Sequence, residues 1–408
     1  MSIKFSRSER STIGIEWELQ LIDKDSFDLR QCASAVMEEV ERLYPQNPLV
    51  HREMLLNTVE VISRPRHSVR DCVMDLTEGI NLVRPVTSAL RVELAAAGSH
   101  PFANPSYQQV TDSKRYEELV NRTQYWGRQM LLFGTHVHVG VEDRDKVLPI
   151  QNYLTSRLGH LQALFASSPY WAGVDTGYCD NRAMVFQQLP TAGKPYQFET
   201  WEQLEEFTAG MLKTGVIDSF DEVRWDIRPS PKFGTIEARV ADASSTIKEV
   251  AACAALTQSL VETASRQLDA GKELPVMPDW FVRENRWRAA RYGMEAILIE
   301  DAQGEESLLT DSLPSWLEEL TPAAEDLDCA EELWSILEMV KIGVGYQRQR
   351  TIFERTNSYE AVVAFLMAEM EAGEPLDPGH FVDKSLHKSG VKGLSLIHIS
   401  EPTRRYAI

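Results

Sequence analysis

Thr12-Ile-Gly-Ile-Glu-Trp-Glu-Leu-Gln-Leu21 alternates without a break. Ile13, Ile15, Trp17, Leu19 and Leu21 fall on one side of an extended chain, and Thr12, Gly14, Glu16, Glu18 and Gln20 on the other. The apolar side predicts a strand packed on a core. The polar side is less ordinary, because Glu16 and Glu18 stand side by side and repel unless a cation lies between them.

Working outward, four more segments show the same division. In Leu131-Leu-Phe-Gly-Thr-His-Val-His-Val-Gly-Val141 the odd positions are mostly apolar, while Leu132, Gly134, His136, His138 and Gly140 share the other face. Two imidazoles at i and i+2 lie about 7 Å apart, close enough to serve one metal cluster. Gly134 and Gly140 beside them are expected to leave room for a ligand against the backbone. Val223-Arg-Trp-Asp-Ile-Arg228 sets Arg224, Asp226 and Arg228 together, and Thr235-Ile-Glu-Ala-Arg-Val240 sets Thr235, Glu237 and Arg239 together. Leu56-Asn-Thr-Val-Glu-Val-Ile62 adds Glu60, with Glu53 seven residues before it. The polar positions of these segments hold no lysine, the common filler of solvated strands. Arginine and carboxylate instead mark geometric recognition of anions and metals. These features predict an α+β fold: one antiparallel sheet with helices on its apolar face and a concave face that does chemistry.

A chain of 408 residues allows two or three average domains. The loaded strands run from residue 12 to residue 240 with no evident linker, so one catalytic domain over residues 1–393 is expected, strand-rich to 243 and helix-rich from 244. Residues 394–408, beginning Leu394-Ser-Leu-Ile-His-Ile-Ser-Glu-Pro-Thr-Arg404, resemble a translated sequencing adapter and are set aside with His398. The net charge of -19 argues against nucleic acid or an anionic membrane as partner. An anionic substrate then needs a locally positive site, which Arg224, Arg228 and Arg239 supply. Cys32, Cys72, Cys179, Cys253 and Cys329 show neither zinc spacing nor a disulfide framework. With no apolar export segment at the N-terminus and no membrane-length apolar run, a reducing cytoplasm is the expected location.

Helical spacing marks residues 68–97 with Ser68 as N-cap, then 145–166, 244–269, 278–292, 329–356 and 358–371. Strands gather in the first half and helices in the second, which is not a βαβ alternation. The turn-rich stretch 167–182 is either a pocket wall or a packed surface loop. Its Cys179 has no neighbouring base and reads as a passive thiol. Arg288 and Arg291 share one helix face.

Four glutamates, two histidines and several arginines on one face suit Mg2+ or Mn2+ with polyphosphate. Hard cations take carboxylate oxygens, and arginine forks take phosphate. Neither a P-loop nor a Gly-x-Gly-x-x-Gly turn is present, so the metals themselves must carry the nucleotide. Phosphoryl transfer then relies on positioning and charge neutralisation.

Six motifs in order resemble the type 2 glutamate–cysteine ligase family, and within it the bacterial carboxylate–amine ligase branch. They are Gly14-Ile-Glu-Trp-Glu-Leu-Gln, Gly98-Ser-His-Pro-Phe, Gly134-Thr-His-Val-His-Val-Gly, Ser167-Ser-Pro-Tyr-Trp, Trp225-Asp-Ile-Arg-Pro and Glu284-Asn-Arg-Trp-Arg-Ala-Ala-Arg. The resemblance spans about residues 12 to 355. It implies a glutamine synthetase-like fold and an ATP-dependent ligase that joins a carboxylate, typically the γ-carboxylate of L-glutamate, to an amine such as L-cysteine through an acyl phosphate. It implies Glu16, Glu18, Glu53, Glu60, His136 and Glu237 as metal ligands and Arg239 as the contact to the transferring phosphoryl group. Arg228, Arg288 and Arg291 are implied for phosphate or substrate carboxylate. His138 is left between substrate binding and holding the strand. The family habit also implies a homo-oligomer acting on small molecules. One departure stands out: a Gly-Tyr-x-Ser-x-Arg pattern is expected where Gly177-Tyr-Cys-Asp-Asn-Arg182 occurs, which leaves the acceptor amine open. The competing readings are a divalent-metal hydrolase, since His-x-His also begins such sites, and a non-catalytic nucleotide-binding regulator.

Overall fold

The computed structural model describes residues 2–112 and 114–389, so the 394–408 tail lies outside the described residues. Its centre is a seven-stranded sheet. The strands are β1 (Ile13–Asp23), β2 (Val50–Arg52), β3 (Thr58–Ile62), β4 (Val92–Ala95), β5 (Thr135–Gly140), β6 (Ile227–Ser230) and β7 (Thr235–Ala238). They run in the order β6-β7-β5-β1-β3-β2, with β4 on the C-terminal half of β1. Every pairing is antiparallel.

The alternation of β1 does what its period requires. Ile13, Ile15, Trp17, Leu19 and Leu21 are buried, continuous with Val59, Val61, Val137 and Val139 of its neighbours. The helices Val69–Ala89 and Ile247–Asp269 cover that face. Trp17 is pinned there, its indole N–H donating to Ser244 O at 3.0 Å. Thr135 shares that buried face, where its hydroxyl accepts from the Ser244 N–H at 3.1 Å. The α+β arrangement with an antiparallel sheet is therefore as expected. Among the described residues no helix is long and apolar enough to cross a membrane.

Three element boundaries differ from the sequence reading. The helix begun by Ser68 ends at Ala89, and Val92–Ala95 forms a strand on β1 with Gln20 opposite Ala95. Arg91, at φ 57°, makes the reversal. Pairing with β1 overrides helical spacing in this buried run. The stretch 145–166 breaks at Arg157 into Arg144–Ser156 and Leu158–Leu164. The stretch 329–356 breaks at Gly343, whose φ of 107° favours glycine. A helix Leu309–Asp326, carrying Pro314 and Pro322, was not anticipated.

Candidate active site

The polar face is assembled by register. Glu16 lies opposite His136 across β1 and β5, Glu18 opposite Glu60 across β1 and β3, and Glu237 opposite His138 across β7 and β5. Arg228 of β6 stands opposite Glu237. Glu53 follows β2 directly. Residues from positions 16 to 237 thus form one row, because an antiparallel ladder brings same-face residues of neighbouring strands within about 5 Å.

Among the described residues, three groups have ligand atoms all within 4.8 Å of one another: Glu16 with His138 and Glu237, Glu16 with Glu60 and His136, and Glu18 with Glu53 and Glu60. Glu16 and Glu60 are each shared by two groups. All six expected metal ligands are therefore brought together, and His138 joins them. Its Nδ1 lies 3.0 Å from the Thr235 hydroxyl, and its Nε2 lies 3.3 Å from Glu16 and 3.8 Å from Glu237.

The electrostatics divide the row in two. Burial pushes Glu18 up to about 8, aided by the charge of Glu53, although the Gly134 N–H donates to its carboxylate at 2.5 Å. Burial and then the charges of Glu53, Glu16 and Glu18 hold Glu60 well above the usual carboxylate range, and burial also raises Glu53. At the other end burial acts in the same sense on Glu16, but hydrogen bonds with His136 and His138 outweigh it and hold it well below. Burial is likewise outweighed at Glu237 by Arg239, His138 and Arg228. Both arginines donate to it, Arg228 Nε at 2.7 Å. Burial, followed by the charge of Arg239, keeps His136 down at about 4, so it is neutral at pH 7. At the Glu18, Glu53 and Glu60 end the ionised forms are disfavoured, a penalty that a bound hard cation would relieve.

Two cavities meet at Glu16. One, of about 230 Å³, is lined by Glu16, Glu18, Glu53, Glu60, His136, Arg228 and Arg239 at its charged end, and by apolar side chains including Met54, Leu119, Met130 and Phe186 elsewhere. The other, of about 320 Å³, is lined by Glu16 and His138 together with Ile62, Pro65, Phe233 and Thr235 and the β1 chain around Gly14.

Several of the expected residues lie away from this row. Neither Arg288 nor Arg291 is among the residues lining these cavities. Arg288 bonds Glu284, Glu306 and Ile297 O on its own helix and the neighbouring hairpin, while Arg291 donates to Gly177 O and stacks on Tyr178 and Tyr292. The arginine of that helix that turns inward is Arg286, buried against Asp226 at 2.6 Å. Asp226 accordingly leaves the row of Arg224 and Arg228. The predicted strand breaks at this residue, and Arg224–Trp225 pairs with Ala192–Gly193 instead. The space beside Gly134 is not free for a ligand. A Cβ there would stand 2.4 Å from Arg182 Nη2 and 2.7 Å from His136 Nε2. At Gly140 a Cβ would meet Glu9 O at 2.3 Å.

Arg182 is the contributor that sequence reasoning missed. It threads between β5 and the segment after β7, donating to Arg239 O and lying 3.4 Å from His136 Nε2. Its placement comes from the turn before it, where Asp180 caps the short helix Asn181–Phe186. Cys179 is buried, and burial pushes its thiol up to about 11, which fits a passive role. Neither Cys179 nor Asp180 is among the residues lining these two cavities.

The sequence model of the Glutamate-cysteine ligase family 2 (GCS2) matches residues 12–369. The chain is 50% identical over 380 residues to "Putative glutamate--cysteine ligase 2-2" of Paenarthrobacter aurescens (strain TC1), covering 91% of this chain and 99% of that protein. It is 50% identical over 370 residues to "Putative glutamate--cysteine ligase 2" of Mycobacterium ulcerans (strain Agy99), covering 90% and 93%. Among solved structures, glutamate–cysteine ligase from Francisella tularensis in complex with AMP superposes with a TM-score of 0.62 at 15% identity, over 96% of this chain and 97% of that one. A bifunctional glutathione synthetase from Pasteurella multocida gives 0.60 at 14%, over 89% of this chain and 52% of that one. These two share the fold. The long match to the family model and the half-identical relatives show that the chain belongs to glutamate–cysteine ligase family 2.

Proposed function

We propose that this protein is an ATP-dependent carboxylate–amine ligase that joins the γ-carboxylate of L-glutamate to L-cysteine or another amine. The observation that carries this reading is the row of three overlapping ligand groups with Glu237 gripped by Arg228 and Arg239 at one end. Glu16, Glu18, Glu53, Glu60, Glu237 and a histidine would hold Mg2+ or Mn2+. Bound there, such ions neutralise the triphosphate and orient it for transfer. The apolar cleft beside Glu16 and His138 suits a purine ring, and the Francisella ligase's complex with AMP supports a nucleotide in this fold. The 230 Å³ cavity would receive the two substrates to be joined.

The chemistry balances in two steps. A donor carboxylate oxygen attacks the γ-phosphorus, the bond to the β-phosphate oxygen breaks, and ADP leaves. The amine then attacks the acyl carbon, the C–O bond to phosphate breaks, and inorganic phosphate departs with the amine's proton passed to solvent or a carboxylate. Arg239 and Arg228 stabilise charge on the transferring group, and Gly134 N–H holds Glu18 in place. The test is ADP release with Mg2+, ATP and L-glutamate across a panel of amines. ADP should appear only when carboxylate and amine are both present. ATP-independent product, or nucleotide binding without turnover, would overturn the proposal.

A further inference from the structure

Asp226 stands outside the row of carboxylates and imidazoles, yet its main chain sits between the two arginines that grip Glu237. The short strand Arg224–Trp225 ends just before it and β6 begins just after it. On the side of the Ala192–Gly193 strand its N–H donates to Gly193 O at 2.8 Å, and on the β7 side its carbonyl accepts the Arg239 N–H at 2.7 Å. Arg228 follows two residues later and donates through Nε to Glu237 at 2.7 Å, while Arg239 Nη1 donates to the same carboxylate. The chain changes strand partner at Asp226, and both arginines are aimed from that point.

The junction is braced from behind. Arg286 Nε donates to the Asp226 carboxylate at 2.6 Å, its Nη1 to Gln187 Oε1 at 2.8 Å and its Nη2 to Ala183 O at 3.4 Å. Asp226 and Arg286 are both buried, and neither is among the residues lining the two cavities described above. Taking such a pair out of water costs about as much as its attraction returns, so stability alone is a weak reason for it. A junction between two ladders does need a brace. A strand end without one is free to shift register, and a slip of one residue turns every side chain to the opposite face. Here that would carry Arg228 away from Glu237.

We propose that Asp226 and Arg286 act as a positioning pair. Together they fix the strand junction, and with it the convergence of Arg228 and Arg239 on Glu237 and on the phosphoryl group transferred there. This rests on the ligase reading above and adds to it two residues, off the cavity wall, that set the aim of two arginines on it.

Three variants separate aim from stability. Asp226→Asn leaves the Arg286 charge buried and unpaired. It should lower the melting temperature and reduce kcat about tenfold or more, with the KM for L-glutamate within about threefold of wild type. Asp226→Asn combined with Arg286→Met removes both charges, so the melting temperature should recover while kcat does not. Arg286→Lys keeps the charge but loses the fork, and should show the same kcat loss to a smaller degree. Calorimetry with Mg2+ gives a readout that needs no turnover. Wild type should bind adenylyl imidodiphosphate, whose γ-phosphate does not transfer, about tenfold more tightly than ADP. The variants should lose that preference with ADP binding unchanged. If kcat and the preference recover with the melting temperature, or never fall, the pair is only structural and the proposal is overturned. Absence of the preference in wild type overturns it as well. If wild type shows the preference and the variants lose it, but no amide forms, the positioning role stands and the ligase reading falls.

Discussion

Glu18 and Glu60 face each other directly across the β1–β3 ladder, with oxygens of both within 4.8 Å of one another and of Glu53. Like charges opposed on one sheet face are destabilising. Here burial adds to the effect and pushes both carboxyls up, Glu18 to about 8. A cation held between them would relieve both effects.

Removal of metal should therefore cost stability. EDTA should lower the melting temperature by several degrees, and excess Mg2+ or Mn2+ should restore it. Glu60→Gln removes one charge from two groups at once, so its metal-free form should be more stable than metal-free wild type by about 1–2 kcal/mol. The same variant should lose both the response to Mg2+ and turnover. Wild-type melting that is indifferent to Mg2+ and Mn2+ would remove the metal assignment.

Arg239 touches Glu237 and lines the cavity's charged end. Arg239→Lys keeps the charge but loses the planar fork. Steady-state kinetics should show kcat reduced about 10²- to 10³-fold with the KM for ATP within a few-fold of wild type. If KM absorbs the whole loss and kcat is untouched, Arg239 contributes to ground-state binding and not to transfer.

The period of two in β1, β3, β5 and β7 made the row of carboxylates and imidazoles legible, since each strand declares its polar face independently of its neighbours. What the strands could not declare was how long each stays in the sheet. Asp226 sits in phase with Arg224 and Arg228, yet Arg286 draws it out of the row. Alternation carries no information about a partner sixty residues away. Arg288 and Arg291 show the complementary limit: helical spacing shows that they share a face but not which way that face points. Arg182 had no periodic signal at all. Its one trace was steric, in Gly134, where the missing side chain makes way for its guanidinium.

Away from the site, Arg348 is fully buried between Glu249 at 2.8 Å and Glu369 at 2.7 Å, and joins the helices Gly345–Thr356, Ile247–Asp269 and Tyr359–Ala372. Arg348→Met strands two buried carboxylates and should cost about 3–5 kcal/mol in denaturant unfolding. Combining it with Glu249→Gln and Glu369→Gln should recover most of that loss. No recovery would mean that the shape of the guanidinium, and not its charge, is what the core requires.

Glu300 supplies a pH test that is independent of metal. Burial favours its neutral form, but the hydrogen bond from His160 Nε2 at 3.0 Å, that from the Ser307 hydroxyl at 2.6 Å and the ion pair with Arg157 at 2.9 Å outweigh it and hold it at about 2. An unfolded glutamate titrates near 4.3. The folded value is the lower one, so the stabilisation is fully present above the unfolded value and is lost as pH falls through the folded one. Glu300→Gln should therefore be less stable than wild type at pH 7, by about 1–2 kcal/mol once solvent screening of this partly exposed group is allowed for. The gap should narrow by roughly half by pH 3.5. Denaturant unfolding of both proteins at pH 7, 5 and 3.5 measures it directly. A gap that widens on acidification would mean that Glu300 is folded in its protonated form, and that His160 and Arg157 do not hold its charge.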